Sequence, residues 1–375
     1  MRRAYAALVS LMPIVWLAGL GTSVLRSQPL TENFLTARER KDLFLQALSI
    51  LPEMDESVRQ LEAVDPIPTP HCATALMAII QQSLDQFEPQ QQLTLRPLFN
   101  RPEGLPGNYI STGGQFRIHY ATNGVDAVPG QDENSDGLPD YVEQVALAFD
   151  FSYATEVGDL GYRPPPEDGI DGPEYDIYIQ ALANGFYGLT TLENPVPGTT
   201  RNDVTSFIQI DNDFQSGQST RGVAGAQVTA AHEFFHAIQL GYRTAVVPND
   251  FFYYELCSSW MEDVVYDDIN DYYFNVPLYF RRIDVPFNRF DLTSLSNYGA
   301  AVWNHMLVEK YGTPDMVRST WEFMQTDMPV LESIDKSLIA LGSTLRREFT
   351  ALAAWNYFTA NRADPNRYYS EGAAY

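Results

Sequence analysis

The stretch Val228-Thr229-Ala230-Ala231-His232-Glu233-Phe234-Phe235-His236-Ala237-Ile238-Gln239-Leu240-Gly241 decides how the chain is read. It contains His-Glu-x-x-His. Residues four apart share a helix face, so His232 and His236 can hold one metal ion between them. Glu233 then falls where a general base for a water nucleophile is needed. Val228, Ala231, Phe235 and Ile238 recur at spacings of three and four, which predicts a core-facing stripe beside the histidines. Gly241 reads as the helix stop. Two ordinary helix histidines are the bland alternative, but two of the chain's 5 histidines stand here at metal spacing.

The third ligand is sought outward from this helix. A metzincin needs Gly three and His six residues after the second motif histidine, and this chain has Gln239 and Tyr242 there. Downstream lies Tyr254-Glu255-Leu256-Cys257-Ser258-Ser259-Trp260-Met261-Glu262-Asp263. Eighteen residues separate His236 from Glu255, and His-Glu-x-x-His-x18-Glu resembles the gluzincin spacing. That resemblance implies a His2Glu zinc site with one open position. Glu262 is the rival ligand, two turns further along the same face. Ser259, Glu262 and Asp263 are candidates for orienting a ligating imidazole.

A wider resemblance runs from about Ile118 to Tyr369. Its pieces are Asn134-Ser135-Asp136-Gly137-Leu138-Pro139-Asp140-Tyr141-Val142-Glu143, Leu160-Gly161-Tyr162-Arg163, Val228 to Tyr242, and Trp260-Met261-Glu262-Asp263 with Tyr266-Asp267-Asp268. Together they resemble a family of bacterial secreted metalloproteases first named from a myxobacterial member. The resemblance implies a zincin-like fold and peptidase activity.

Asp132 to Glu143 fits the calcium-loop pattern D-x-N-x-D-G-x5-E. Asp132, Asn134, Asp136, Asp140 and Glu143 supply oxygens at loop positions 1, 3, 5, 9 and 12, and Gly137 permits the sharp turn. Pro139 and the preceding strand-like segment depart from an EF-hand, so the expectation is a single structural calcium loop leading into a helix. An acidic surface turn is the alternative.

The chain has 375 residues and a formal charge of −24, from 48 acidic and 24 basic side chains. That acidity excludes a general nucleic-acid binder. Charged residues make up 19% and aromatics 13%, the balance of a globular protein. Arg2 and Arg3 precede an apolar run from about Ala4 to Leu20, then small residues, which is the layout of a secretory signal peptide over residues 1–27. The run is shorter than the roughly 20 apolar residues a spanning helix needs, and an uncleaved membrane anchor is the alternative reading. The expected location is therefore extracytoplasmic, in periplasm or outside the cell, with no stable membrane partner after cleavage.

Residues 28–105 read as a helical N-terminal segment, in the place of a propeptide. Its helices are Arg38–Leu51 and His71–Phe87, and a linker is expected from Arg96-Pro97 to Pro106-Gly107. Residues 106–375 read as the zincin-like domain, of α+β class. Strands are predicted at Gln115–Tyr120, Tyr175–Ile179, Gly185–Thr191 and Ser206–Ile210, with a long helix over Asp140–Leu160. From Phe251 on the pattern is helical: Phe251–Tyr266, Tyr272–Ile283, Tyr298–Tyr311, Pro314–Gln325, Leu331–Leu341 and Leu345–Ala360. The metal motif thus falls at the junction of a mixed α/β half and a helical half.

Cys72 and Cys257 are the 2 cysteines. In an exported chain a disulfide is the first expectation. A free Cys72 filling the open zinc position, or two unrelated buried thiols, are the others. For the chemistry, Glu233 is the expected base, and Tyr298 and His305 are candidate oxyanion donors. The strand Phe207–Ile210 is where an extended protein or peptide substrate is expected to add. A zinc endopeptidase is the leading reading. An aminopeptidase shares the x18 spacing, but this chain lacks the Gly-x-Met-Glu-Asn segment of that class. The third reading is a catalytically silent, calcium-stabilised envelope protein, and the intact Glu233 argues against it.

Overall fold

The computed structural model describes residues 35–50, 71–183, 185–215, 217–245, 250–282, 284–290 and 295–375. The expected signal peptide and the Pro-rich run Asp65–Pro70 lie outside the described residues. The architecture is mixed α/β, built on one five-stranded mixed sheet. Its strands are β1 (Gly107–Ile110), β2 (Phe116–Tyr120), β3 (Tyr175–Gln180), β4 (Gly188–Pro195) and β5 (Val204–Asp211), in the spatial order β1-β2-β3-β5-β4. The pairs β2–β3 and β3–β5 are parallel, while β1–β2 and β4–β5 are antiparallel. Parallel neighbours need a long crossover between them. The helix α4 (Asp140–Tyr153) lies on that crossover between β2 and β3.

β1 was not expected, because Pro106-Gly107 reads as linker; pairing with β2 recruits it. The predicted alternation of β3 and β5 is also exceeded. Asp176 to Ile179 and Thr205 to Asp211 are buried without a break, so both faces of the central strands are covered. One cover is the N-terminal segment, in which α1 (Ala37–Ser49), α2 (Thr74–Gln82) and α3 (Pro89–Leu95) are described. Every residue of α2 from Thr74 to Ile80 is buried, and α2 packs on β4. The expected linker is likewise pinned. Arg101 forms ion pairs with Asp168, Asp176 and Glu193, the last two on strands.

The metal motif lies on α5 (Gly222–Tyr242), which packs against β4, β5, α4 and the next helix, α6 (Phe251–Val265). The expected stripe understates its burial: every residue from Val228 to Tyr242 is buried. Gly241 does not stop the helix, which continues through it to Tyr242. A Cβ at Gly241 would stand 2.9 Å from Pro166 Cδ, so glycine is required there for close approach. The Leu160–Arg163 motif holds the same end. Tyr162 sits edge-on to Phe235 at 5.0 Å, and the Arg163 guanidinium lies 4.4 Å above the Tyr242 ring while donating to the Gly241 carbonyl.

The helical half follows α6, with α7 (Val276–Phe280), α8 (Ser296–Gly299), α9 (Val302–Tyr311), α10 (Asp315–Met324), α11 (Val330–Ala340) and α12 (Leu345–Tyr357). The expected helix Tyr272–Ile283 is a 3-10 turn at Asp271–Phe274 followed by the short α7, with Pro277 at the helix start. The expected Tyr298–Tyr311 helix breaks after Gly299. Among the described residues no helix is long and apolar enough to cross a membrane.

Candidate metal centre

The core of α5 places His232 and His236 one turn apart, facing α6. Their Nε2 atoms stand 3.1 Å apart, and Glu255 Oε2 lies 3.5 Å from the first and 3.6 Å from the second. Donors about 2.0–2.1 Å from one tetrahedral ion stand about 3.4 Å from each other. The triangle therefore fits a single zinc-sized ion. Both Glu255 carboxylate oxygens are buried and accept no hydrogen bond, as expected of a group that awaits a cation.

Each imidazole is fixed from its other nitrogen. His232 Nδ1 bonds Glu262 Oε1 at 2.6 Å, and His236 Nδ1 bonds Gln239 Oε1 at 2.7 Å with Ser258 Oγ at 3.2 Å. Gln239 is held in turn by donating to the Tyr254 carbonyl at 3.0 Å. Hence Glu255 faces the donor triangle, whereas Glu262 orients a ring from behind. Ser258 takes the orienting place expected of Ser259, whose hydroxyl has no partner. Gln239 first appears as the residue that excludes a metzincin. Its position three residues after His236 was the available signal for its orienting role.

Glu233 lies beside the triangle with Oε2 accepting from Thr190 Oγ1 at 2.8 Å and from Thr74 Oγ1 at 3.0 Å. β4 comes close enough for this because residue 188 is glycine. A Cβ there would meet Glu233 Cγ at 3.0 Å and Thr229 Cγ2 at 2.8 Å. Tyr298 also reaches the centre, stacked 5.9 Å from the His232 ring, with its hydroxyl donating to the Cys72 carbonyl at 3.2 Å. His305 does not. It stacks 4.8 Å from Tyr272, with Nδ1 3.8 Å from Asp263. Burial lowers its pKa to about 3, so it is a neutral ring and not half of an ion pair.

The two cysteines are free and both buried, which corrects the first expectation of a disulfide. Two residues along a helix turn by about 200°. Cys257 therefore points away from the Glu255 face, where Asn304 donates to its sulfur at 3.4 Å. Cys72 instead joins the donors: its Sγ, the two imidazoles and Glu255 all have ligand atoms within 4.8 Å of one another, and all are buried.

The electrostatics call for a cation. Burial raises the Glu255 carboxyl, but the close His236 and His232 imidazoles outweigh it and hold the group at about 2. Burial lowers His232, yet Cys72, Glu255 and Glu262 together push it well above the ordinary histidine range. Burial and the neighbouring Glu233 and Glu255 drive the Cys72 thiol up. Protons are thus held where a metal ion would displace them. Glu262 is raised to about 7, mainly by burial. Burial, then Glu255, Cys72 and Glu233, raise Tyr298 well above the usual phenol value, so it stays a donor. One group escaped the sequence reading: Glu156, in the π-helical turn Ala154–Asp159 after α4, is fully buried and neither carboxylate oxygen has a partner.

The expected calcium loop folds around its own backbone. Asp132 accepts from the amides of Asp136 and Gly137, and Asn134 and Asp136 accept from those of Asp136 and Leu138. The Asp140 carboxylate accepts from the Glu133 amide, and Gly137 has φ +92°. Among the described residues the other tight acidic group is Asp263, Asp267 and Glu371. The chain matches no family model and no curated protein.

Proposed function

We propose that the chain is a secreted, zinc-dependent metallopeptidase of zincin-like fold, with His232, His236 and Glu255 as metal ligands and Glu233 as general base. The observation that carries this reading is the donor triangle of 3.1, 3.5 and 3.6 Å, with a buried carboxylate that is not a ligand beside it. A zinc ion held there supplies Lewis-acid activation of a water nucleophile. Glu233, positioned by Thr190, takes the proton of that water and passes it to the leaving amine. Tyr298 is placed to donate to the carbonyl oxygen as it gains charge.

The substrate strand is reassigned. The segment Phe207–Ile210 belongs to β5, which is paired on both sides, by β3 and β4. The edge beside the metal helix is β4, and an extended protein or peptide substrate adds there. The Asp132–Glu143 loop is read as a structural calcium site.

A second reading has one observation in its favour. Cys72 completes a closed four-donor set, as in structural zinc sites. The test is metal stoichiometry with cleavage of an unstructured protein, comparing chains with and without Glu233→Gln in a Cys72→Ala background. One zinc per chain and a loss of about 10²–10⁴-fold on removing the base are expected. Equal cleavage by the two, with zinc bound, would sink the peptidase reading.

A further inference from the structure

We infer that His71–Thr74 is an internal inhibitor, with the Cys72 thiolate as a fourth metal donor in the position that water and substrate need. The inference rests on the peptidase reading and specifies how that site is regulated. Four consecutive residues occupy four separate functions of the cleft. The Cys72 sulfur stands within 4.8 Å of the ligand atoms of His232, His236 and Glu255. The Cys72 carbonyl accepts from the Tyr298 hydroxyl at 3.2 Å, where a substrate carbonyl would be received. Thr74 donates to the Glu233 base at 3.0 Å and itself accepts from the Thr190 amide at 2.7 Å. The backbone pairs with the start of the edge strand β4: Tyr187 N donates to the His71 carbonyl at 2.7 Å, and Ala73 N donates to the Gly188 carbonyl at 3.1 Å.

The plug is anchored at both ends. His71 Nδ1 lies 3.3 Å from Asp271, and its ring stacks on Tyr187 at 4.3 Å with an interplanar angle of 3°. Thr74 opens the buried helix α2. The space left beside His232 and Glu233 is about 10 Å³. That is close to what a single water requires, so no peptide reaches the centre while the segment is in place. A purely structural centre would explain the sulfur, but not why the same segment also takes the base, the tyrosine donor and the strand edge. Cys257 cannot draw the thiol away, because it faces Asn304.

The test uses the full chain at saturating metal. With cobalt(II) in place of zinc, wild type should show a thiolate-to-cobalt charge-transfer band in the near ultraviolet. Cys72→Ala should lose the band while still binding one cobalt. With zinc, Cys72→Ala should cleave an unstructured protein at least tenfold faster than wild type, and adding Glu233→Gln should return it to background. Should Cys72→Ala melt with wild-type cooperativity lost, Cys72→Ser takes its place, and the wild-type spectrum stands without any variant. A missing band in wild type overturns the inference. Equal, Glu233-dependent cleavage by wild type and Cys72→Ala also overturns it while leaving the peptidase reading intact. A band with no cleavage by any metal-loaded variant overturns both, and the centre is then structural.

Discussion

His232 and His236 each commit Nδ1 to a protein partner and turn Nε2 toward each other and Glu255, so the residues behind them should be readable one at a time. Glu262 is the sharpest case, bonded to His232 at 2.6 Å. Glu262→Ala should keep one metal per chain but weaken its affinity by about 10–100-fold, as measured by chelator competition. The same substitution at the proposed ligand, Glu255, should abolish stoichiometric binding. Asp263, the next residue, should instead be visible in stability. Burial and then Glu371, Asp267, Glu262 and Glu309 raise its pKa to about 8. An unfolded aspartate titrates near about 3.9. Between those values the folded chain holds a proton that the unfolded chain releases. The contribution is therefore complete below about 3.9 and is lost as pH rises through about 8. Asp263→Asn should gain at least about 1 kcal/mol on wild type between pH 5 and pH 8 in chelator, by denaturant titration.

At the scale of elements, two helices and one strand edge build the centre, and their spacing was largely legible. His232 and His236 at i and i+4, and Glu255, Ser258 and Glu262 at i, i+3 and i+7, follow from the helix repeat alone. Helix ends were less legible, because what decides them is packing. Gly241 looks like a stop by residue type, yet it is there to admit Pro166. Gly241→Ala should leave the helix content unchanged and cost about 1–3 kcal/mol through overpacking, checked by circular dichroism and urea unfolding. The sheet edge was misplaced for a similar reason. Sequence order puts Phe207–Ile210 next to the motif, but β5 turns back and inserts between β3 and β4, which leaves β4 at the edge.

Across the whole molecule, the N-terminal segment is part of the same core as the sheet. Leu76, Met77, Ile79 and Ile80 of α2 are buried with Ile208, Phe234 and Phe235 in one cluster. Arg101 ties the following stretch to Asp168, Asp176 and Glu193. A chain starting at residue 106 should therefore lose the cooperative unfolding of the full chain, as scanning calorimetry would show. Stripping α2 bares the apolar side chains it covers, at about 25 cal/mol per Å² of surface.

By itself the sequence determined the spacing of His232, His236 and Glu255, the glutamate beside them, and a mixed α/β half followed by helices, because these depend on local periodicity. The positions of Cys72, Thr74 and Tyr298 were decided by tertiary structure. They lie far from His232 along the chain, and no local repeat links them to it. The folding of β4 against α5 and of residues 71–74 along its edge brings them to the metal face. The same packing turned Cys257 away from Cys72, against the disulfide expected from the presence of two cysteines.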